Sequence, residues 1–147
     1  LCALQEQLGD GRAAEQTLAA GLRHCPASPG LHLMRARRYH KSGAIEQSIA
    51  DYQECIRLRP TEAEAAIELA YLYINLGRFD EAVRLLGDLP GITGELNTWS
   101  YWRRSRDETA LAAHAARVSL AIDPSQTAVR EALTALDPAA ASAAPQR

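Results

Sequence analysis

Small and large apolar residues alternate along this chain at helical spacing, in blocks that close at glycine or proline. Gly9, Gly43 and Gly77 stand 34 residues apart, and Pro26 and Pro60 keep the same period. Seven residues before each glycine stand Cys2, Ala36 and Ala70, and five after it Ala14, Ser48 and Ala82, all small. Four before stand Gln5, Tyr39 and Tyr73; nine after stand Leu18, Tyr52 and Leu86, and these last three are large and apolar. Two antiparallel helices approach closely where a small residue of one admits a large residue of the other, so these columns predict repeated helix pairs. Glycine gives the backbone freedom that ends the first helix of a pair, and proline stops the second. The pattern predicts helices near 1–8, 12–24, 30–41, 44–58, 62–75, 78–88, 95–105, 108–121 and 125–136. Ser28-Pro29 fits an N-cap followed by proline at the first helical position, and Thr61 with Glu64 fits a capping box.

This 34-residue helix–turn–helix unit resembles the tetratricopeptide repeat (TPR) family in length, in its small and large columns and in its closing proline. The segment 63–86, with Leu69-Ala70, Tyr73 and Gly77-Arg78-Phe79-Asp80-Glu81-Ala82, carries the resemblance most fully. Residues 32–60 match except at Arg35, where the family has leucine, and 1–26 match from the middle of the first helix onward. The resemblance implies an all-α fold, a right-handed α-α superhelix (TPR solenoid) of about three full to four units plus a C-terminal capping helix. The expected solenoid spans 1–136, with a partial first repeat at 1–28, a second at 29–62 and a shortened third at 63–91. A degenerate fourth follows at 93–124, and a capping helix at 125–136. The shortening shows in the prolines: Pro124 follows Pro60 by 64 residues rather than 68, and Pro90 breaks the third unit early. In the fourth unit Asp107 replaces the turn glycine, and Trp99, Ser100, Ala112, Ala116 and Ser119 fill the packing columns. The tail 137–147, rich in Ala, Pro and Ser, is expected to be disordered, and Leu1 to lie inside a helix of a longer protein.

Composition sharpens the fold class. The 47% hydrophobic fraction is mostly alanine and leucine, 28 and 19 residues, against one Phe, one Met and two Trp. Alanine favours helix and adds little bulk, so close helix contacts are expected and a sheet is not. The net charge of −2 supplies no basic field for nucleic acid. No apolar run approaches the roughly 20 residues that cross a bilayer, so direct membrane insertion is not expected.

Catalytic and ligand motifs are missing from the pattern. Serine-hydrolase elbow, zinc-protease helix, phosphate loop and dinucleotide fingerprint do not occur. His32 and His40 lie about 12 Å apart along one helix, too far to share a metal. Cys2, Cys25 and Cys55 form neither a CxxC pair nor an even disulfide set, and read as small thiols at helix-packing sites. The chain therefore reads as non-enzymatic, with no cofactor and no metal.

In the TPR family the first helix of each pair lines a concave face. Carried onto this sequence, that face presents Leu33, Arg37, His40 and Lys41 in the second repeat, and Glu64, Ile67, Tyr71, Ile74 and Asn75 in the third. In the fourth it presents Asn97, Tyr101 and Arg104. The large apolar members suit an extended peptide or an amphipathic helix of another protein. Tyr71 and Tyr101, with Trp102, are the aromatics left over from packing. Members that hold the C-terminal carboxylate of heat-shock proteins use Lys and Asn, then Asn, then Lys and Arg. Here Leu33 and Arg37, then Glu68, then Gly94 and Thr98 stand in those places, and one repeat earlier Met34, Glu64 and Glu68 do. An acid facing a carboxylate repels it, so binding of such tails is not expected.

The reading is a protein–protein interaction module that takes a peptide or helix of a partner protein in its groove, as a scaffold or assembly factor of a bacterial complex. Two alternatives stand beside it. The repeats would be a regulatory or substrate-presenting extension of an enzyme domain upstream of residue 1, or would self-associate through the first repeat. Cytoplasm and periplasm both fit.

Overall fold

The computed structural model describes residues 11–61 and 63–137, and all regular structure among them is helical. The helices are α1 (Gly11–His24), α2 (Pro29–Ser42), α3 (Ile45–Leu58), α4 (Ala63–Asn75), α5 (Phe79–Leu86), α6 (Ile92–Arg104), α7 (Thr109–Ile122) and α8 (Thr127–Leu136). The helix expected at 1–8 and the tail beyond residue 137 lie outside the described residues. The others stand within about two residues of their predicted bounds, except that α6 starts at Ile92 rather than near residue 95. Gly91, at φ 76°, turns the chain just ahead of Ile92, so Gly94 joins the first turn of the helix instead of preceding it.

The repeat is written into the backbone at three turns. At the end of α2, Gly43 stands at φ 79°; its amide donates to the His40 carbonyl, and Ala44 donates to Tyr39. After α4, Gly77 (φ 72°) and Arg78 donate to Ile74 and Tyr73. After α6, Asp107 (φ 60°) and Glu108 donate to Arg104 and Arg103. This is one left-handed cap used three times, and Asp107 fills the glycine's place in the fourth repeat by adopting the glycine's conformation. At the other end of α2, Ser28 is extended and Pro29 opens the helix, as expected, though the serine side chain makes no cap hydrogen bond.

The chain forms two compact units, Leu1–Leu69 and Ala70–Arg147, with the boundary inside α4. In the first unit α2 lies along α3, and Ala36 and Ser48 are both fully buried. Ser48 Oγ donates to the Ala36 carbonyl at 2.8 Å, so the small column also carries a hydrogen bond. Ala14 and Leu18 of α1 pack with Leu31 and Met34 of α2. Arg35, the departure from the family pattern, has a partner on α3: its Nε and Nη2 each donate to Asp51 at 2.6 Å. Asp51 is buried and is shared with His32, whose Nδ1 lies 2.9 Å from Oδ1 and whose Nε2 donates to the Pro26 carbonyl at 2.9 Å. Cys55 of α3 is buried, whereas Cys25 is exposed in the turn after α1 rather than packed between helices. Cys2 is outside the described residues.

The second unit is built around α7. It packs against α5, α6 and α8, and Ala112, Ala113, Ala115, Ala116, Val118, Ser119 and Leu120 are all buried. A helix touched from several sides needs short side chains all round, which is where much of the alanine goes. Ser100 Oγ of α6 donates to the Ala112 carbonyl at 2.8 Å, the Ser48–Ala36 contact with the serine moved to the opposite helix. Leu133, Val129 and Leu136 of α8 close over Ala113, Ala116 and Leu120.

Candidate functional site

In the first unit, α2 and α4 are joined by a charged rung. Arg37 donates from Nε to Glu68 at 2.9 Å and from Nη2 to Glu64 at 2.6 Å, and Tyr52 of α3 donates its hydroxyl to Glu68 at 2.9 Å. The hydrogen bond to Glu68 is the main reason that the Arg37 guanidinium holds its proton more tightly than usual. Burial first, and then the bond to Glu68, push the Tyr52 phenol up. The cation that the sequence offers to a partner therefore already faces two carboxylates. His40 and Lys41 are exposed at the end of α2, and Ile67 is half-buried on α4.

The second unit carries an aromatic cleft. Tyr71 of α4 stacks on Trp99 of α6 with ring centroids 5.1 Å apart and planes 25° apart. Glu95, Thr98, Trp99 and Trp102 follow one another at helical spacing on α6 and line the cleft with Tyr71, Gly91 and Gly94, around a volume of 490 Å³. Trp102 is 59% exposed, and Tyr101, 69% exposed, meets it in a T-shaped pair with ring centroids 6.2 Å apart. Arg103 lies 4.6 Å over the Trp99 ring while its Nη1 donates to Glu108 at 2.5 Å. Burial, and then the nearby Glu95 carboxylate, raise the Tyr71 phenol above the ordinary tyrosine range.

Several expected groove residues are placed elsewhere. Leu33 (7% exposed) and Ile74 (0%) are core residues. The Ile74 carbonyl accepts a hydrogen bond from His114 Nδ1 of α7 at 3.0 Å, which shows what covers that end of α4. Asn97 faces α7 and α8: its Nδ2 donates to Gln126 at 2.6 Å, and its Oδ1 accepts from Ser119 at 2.8 Å. Asn75 is half-buried, and its Oδ1 is a buried oxygen without a hydrogen bond among the described residues. Arg37, Glu64, Tyr101 and Arg104 are exposed, and Tyr71 is half-buried at the cleft. Trp99, a packing residue by its spacing, is a wall of that cleft, and Glu95 lines it although no sequence pattern marks it. Gly94 and Thr98, where chaperone-tail binders carry cations, line the same cleft without charge. Among the described residues no His, Cys, Asp or Glu cluster could hold a metal, and no helix is long and apolar enough to cross a membrane.

Residues 39–95 match the family model described as tetratricopeptide repeat, so this segment is of TPR type. A crystal structure of MamA superposes with a TM-score of 0.61 at 16% identity, over 92% of this chain and 82% of that one. MamA from residue 41 to its end, from Desulfovibrio magneticus RS-1, gives 0.62 at 12% identity, over 93% and 80%. A MamA RS-1 double mutant gives 0.61 at 13% identity, over 96% and 84%. At these identities the likeness speaks for the fold, which is all-α and of the TPR solenoid type. No curated protein matches the chain in sequence.

Proposed function

We propose that this chain of tetratricopeptide repeats is a non-catalytic interaction module that takes a peptide or helical segment of a partner protein on the first-helix faces of its units. Its role is that of a scaffold or assembly factor in a bacterial complex. The observation that supports the reading is the Tyr71–Trp99–Trp102 cleft. Aromatics are only 5% of the chain, yet both tryptophans line this one surface instead of a core. Large, rigid, amphipathic side chains left half in water are the usual anchors of a protein interface. The second unit adds Asn75, Tyr101 and Arg104 to the proposed surface, and the first unit offers a first-helix face of its own with Arg37, His40, Lys41, Glu64 and Ile67. Glu64 and Glu68 make the first unit's face unsuited to a C-terminal carboxylate.

A photo-crosslinking side chain at Thr98 of the full chain, used in cells, should trap a partner. Tyr71→Ala and Trp102→Ala should each lower capture about tenfold, with the helical signal unchanged. Capture that neither substitution affects would remove the reading.

A further inference from the structure

Glu95 is an exposed carboxylate at the edge of an aromatic cleft, and it has no ion-pair partner among the described residues. Trp102 stands seven residues on, about 10 Å along the same stripe of α6, with Trp99 between them. Trp99 already has Tyr71 stacked on it and Arg103 over its ring, whereas Trp102 keeps most of its surface in water. The floor is open as well. A methyl group added at Gly94 would meet nothing within 4 Å, so the space above it belongs to the cleft rather than to the fold.

The chain contains a pattern for what this surface can hold. Arg103 lies on Trp99 and is charge-paired with Glu108, an arginine–tryptophan–glutamate set closed within the unit. Trp102 and Glu95 are the aromatic and the acid of a second such set whose cation is missing. Guanidinium suits both surfaces, because it is planar, weakly hydrated and able to stack while its edge donates to a carboxylate. Competing cations are spent or distant: Arg103 is neutralised by Glu108, and Arg104 lies about 13 Å along α6 from Glu95, beyond the roughly 8 Å Debye length at physiological salt.

We propose that the cleft takes an extended segment of the partner protein that presents an arginine, its guanidinium laid on Trp102 and paired with Glu95, its backbone passing over Gly94. This rests on the interaction-module reading and names the chemistry of its partner. The raised phenol of Tyr71 agrees with it, since a protonated hydroxyl remains available as a donor beside Glu95.

The two tryptophans of the chain both line the cleft, so intrinsic tryptophan emission reports on it directly. The full chain is titrated with acetyl-Ala-Pro-Ala-Arg-Ala-Pro-Ala-amide and with the same peptide carrying citrulline or glutamate in place of arginine. The arginine peptide should shift the emission saturably, bind at least tenfold more tightly than the citrulline peptide, and weaken with added salt. Glu95→Gln should remove the preference for arginine over citrulline. Gly94→Ala should weaken the arginine peptide at least fivefold while the thermal midpoint stays equal or rises. Equal binding of the arginine and citrulline peptides, or a preference untouched by Glu95→Gln, would overturn the inference. A crosslinked partner that is lost on Trp102→Ala but kept on Glu95→Gln would also overturn it, and would leave the module reading standing. A partner indifferent to both substitutions would remove the two together.

Discussion

Arg37 grips Glu68 across α2 and α4 from a position six residues before one turn glycine to a position nine before the next. Tyr71 and Trp99 stand in nearly the same relation, six residues before Gly77 and eight before Asp107. The same place in successive first helices is thus bridged by an ion pair in the first unit and by stacked rings in the second. The ionic rung commits its one cation to two carboxylates, while the aromatic one leaves a cleft beside it.

The Arg37–Glu68 rung should be weak in energy despite its short distances. Both side chains are partly exposed, at 43% and 30%, and exposed pairs contribute roughly 0.2–1 kcal/mol. A double-mutant cycle of Arg37→Ala and Glu68→Ala, followed by urea unfolding, should give a coupling of about 0.5–1 kcal/mol at low salt. In 1 M salt, where the Debye length is about 3 Å, the coupling should fall by more than half. A salt-independent coupling above about 2 kcal/mol would show that the pair is shielded from solvent.

Tyr52 should give the fold an alkaline limit. Its ring is 2% exposed and its hydroxyl is bonded to Glu68, so the folded chain keeps the phenolic proton above the ordinary tyrosine range. The unfolded chain gives that proton up from about pH 10. Stability from this group is therefore complete below about pH 10 and is lost as pH rises, at up to about 1.4 kcal/mol per pH unit. Tyr52→Phe should cost about 1 kcal/mol at pH 8 by removing the bond to Glu68. Its stability should also fall less steeply than that of the parent between about pH 10 and 11. Urea unfolding at each pH tests both signs, and parallel curves for the two proteins would count against this account.

Asp107 occupies the left-handed backbone region that Gly43 and Gly77 fill at the equivalent turns. A side chain there costs roughly 1 kcal/mol, somewhat less for aspartate than for most residues. Asp107→Gly should therefore stabilise the chain by about 0.5–1 kcal/mol, and Gly43→Ala should destabilise it by about 1 kcal/mol. Thermal unfolding of the two variants should move in opposite directions by a few degrees. Movement in the same direction would mean that contacts of the side chain, not the backbone, decide the cap.

The repeat is legible in the sequence because close helix approach leaves few residue choices at the crossing. Ala14, Ala36, Ser48, Ala70 and Ala82, chosen by spacing alone, are all 0% exposed. Asp107 is legible for the same reason, since its place is fixed by counting even though its identity is unusual. The groove is less legible. Leu33 and Ile74 are apolar residues on first helices, and helical spacing does not say whether such a residue faces a groove or the next helix inward. Asn97 is claimed by Ser119 and Gln126, 22 and 29 residues away, and no local pattern carries that pairing. Spacing puts Trp99 in a packing column and marks nothing at Glu95, because the start of α6 depends on Gly91, whose left-handed turn follows Pro90 directly.

The α8 contact should be the most sensitive to truncation of a single side chain. Leu133 is 2% exposed, and its buried neighbours are Ala113, Ala116 and Leu120. Alanines have no reach with which to refill a gap, so a cavity left there should persist rather than collapse. Leu133→Ala should cost about 2–4 kcal/mol, against about 1 kcal/mol for Val129→Ala at the half-buried rim of the same cluster. The loss should also be local at first. Amides of α8 should lose hydrogen-exchange protection before those of α7, because among the described residues α8 packs chiefly on α7, while α7 is packed against three helices. Equal loss of protection in α7 and α8 would show that the capping helix and the alanine core unfold as a single cooperative unit.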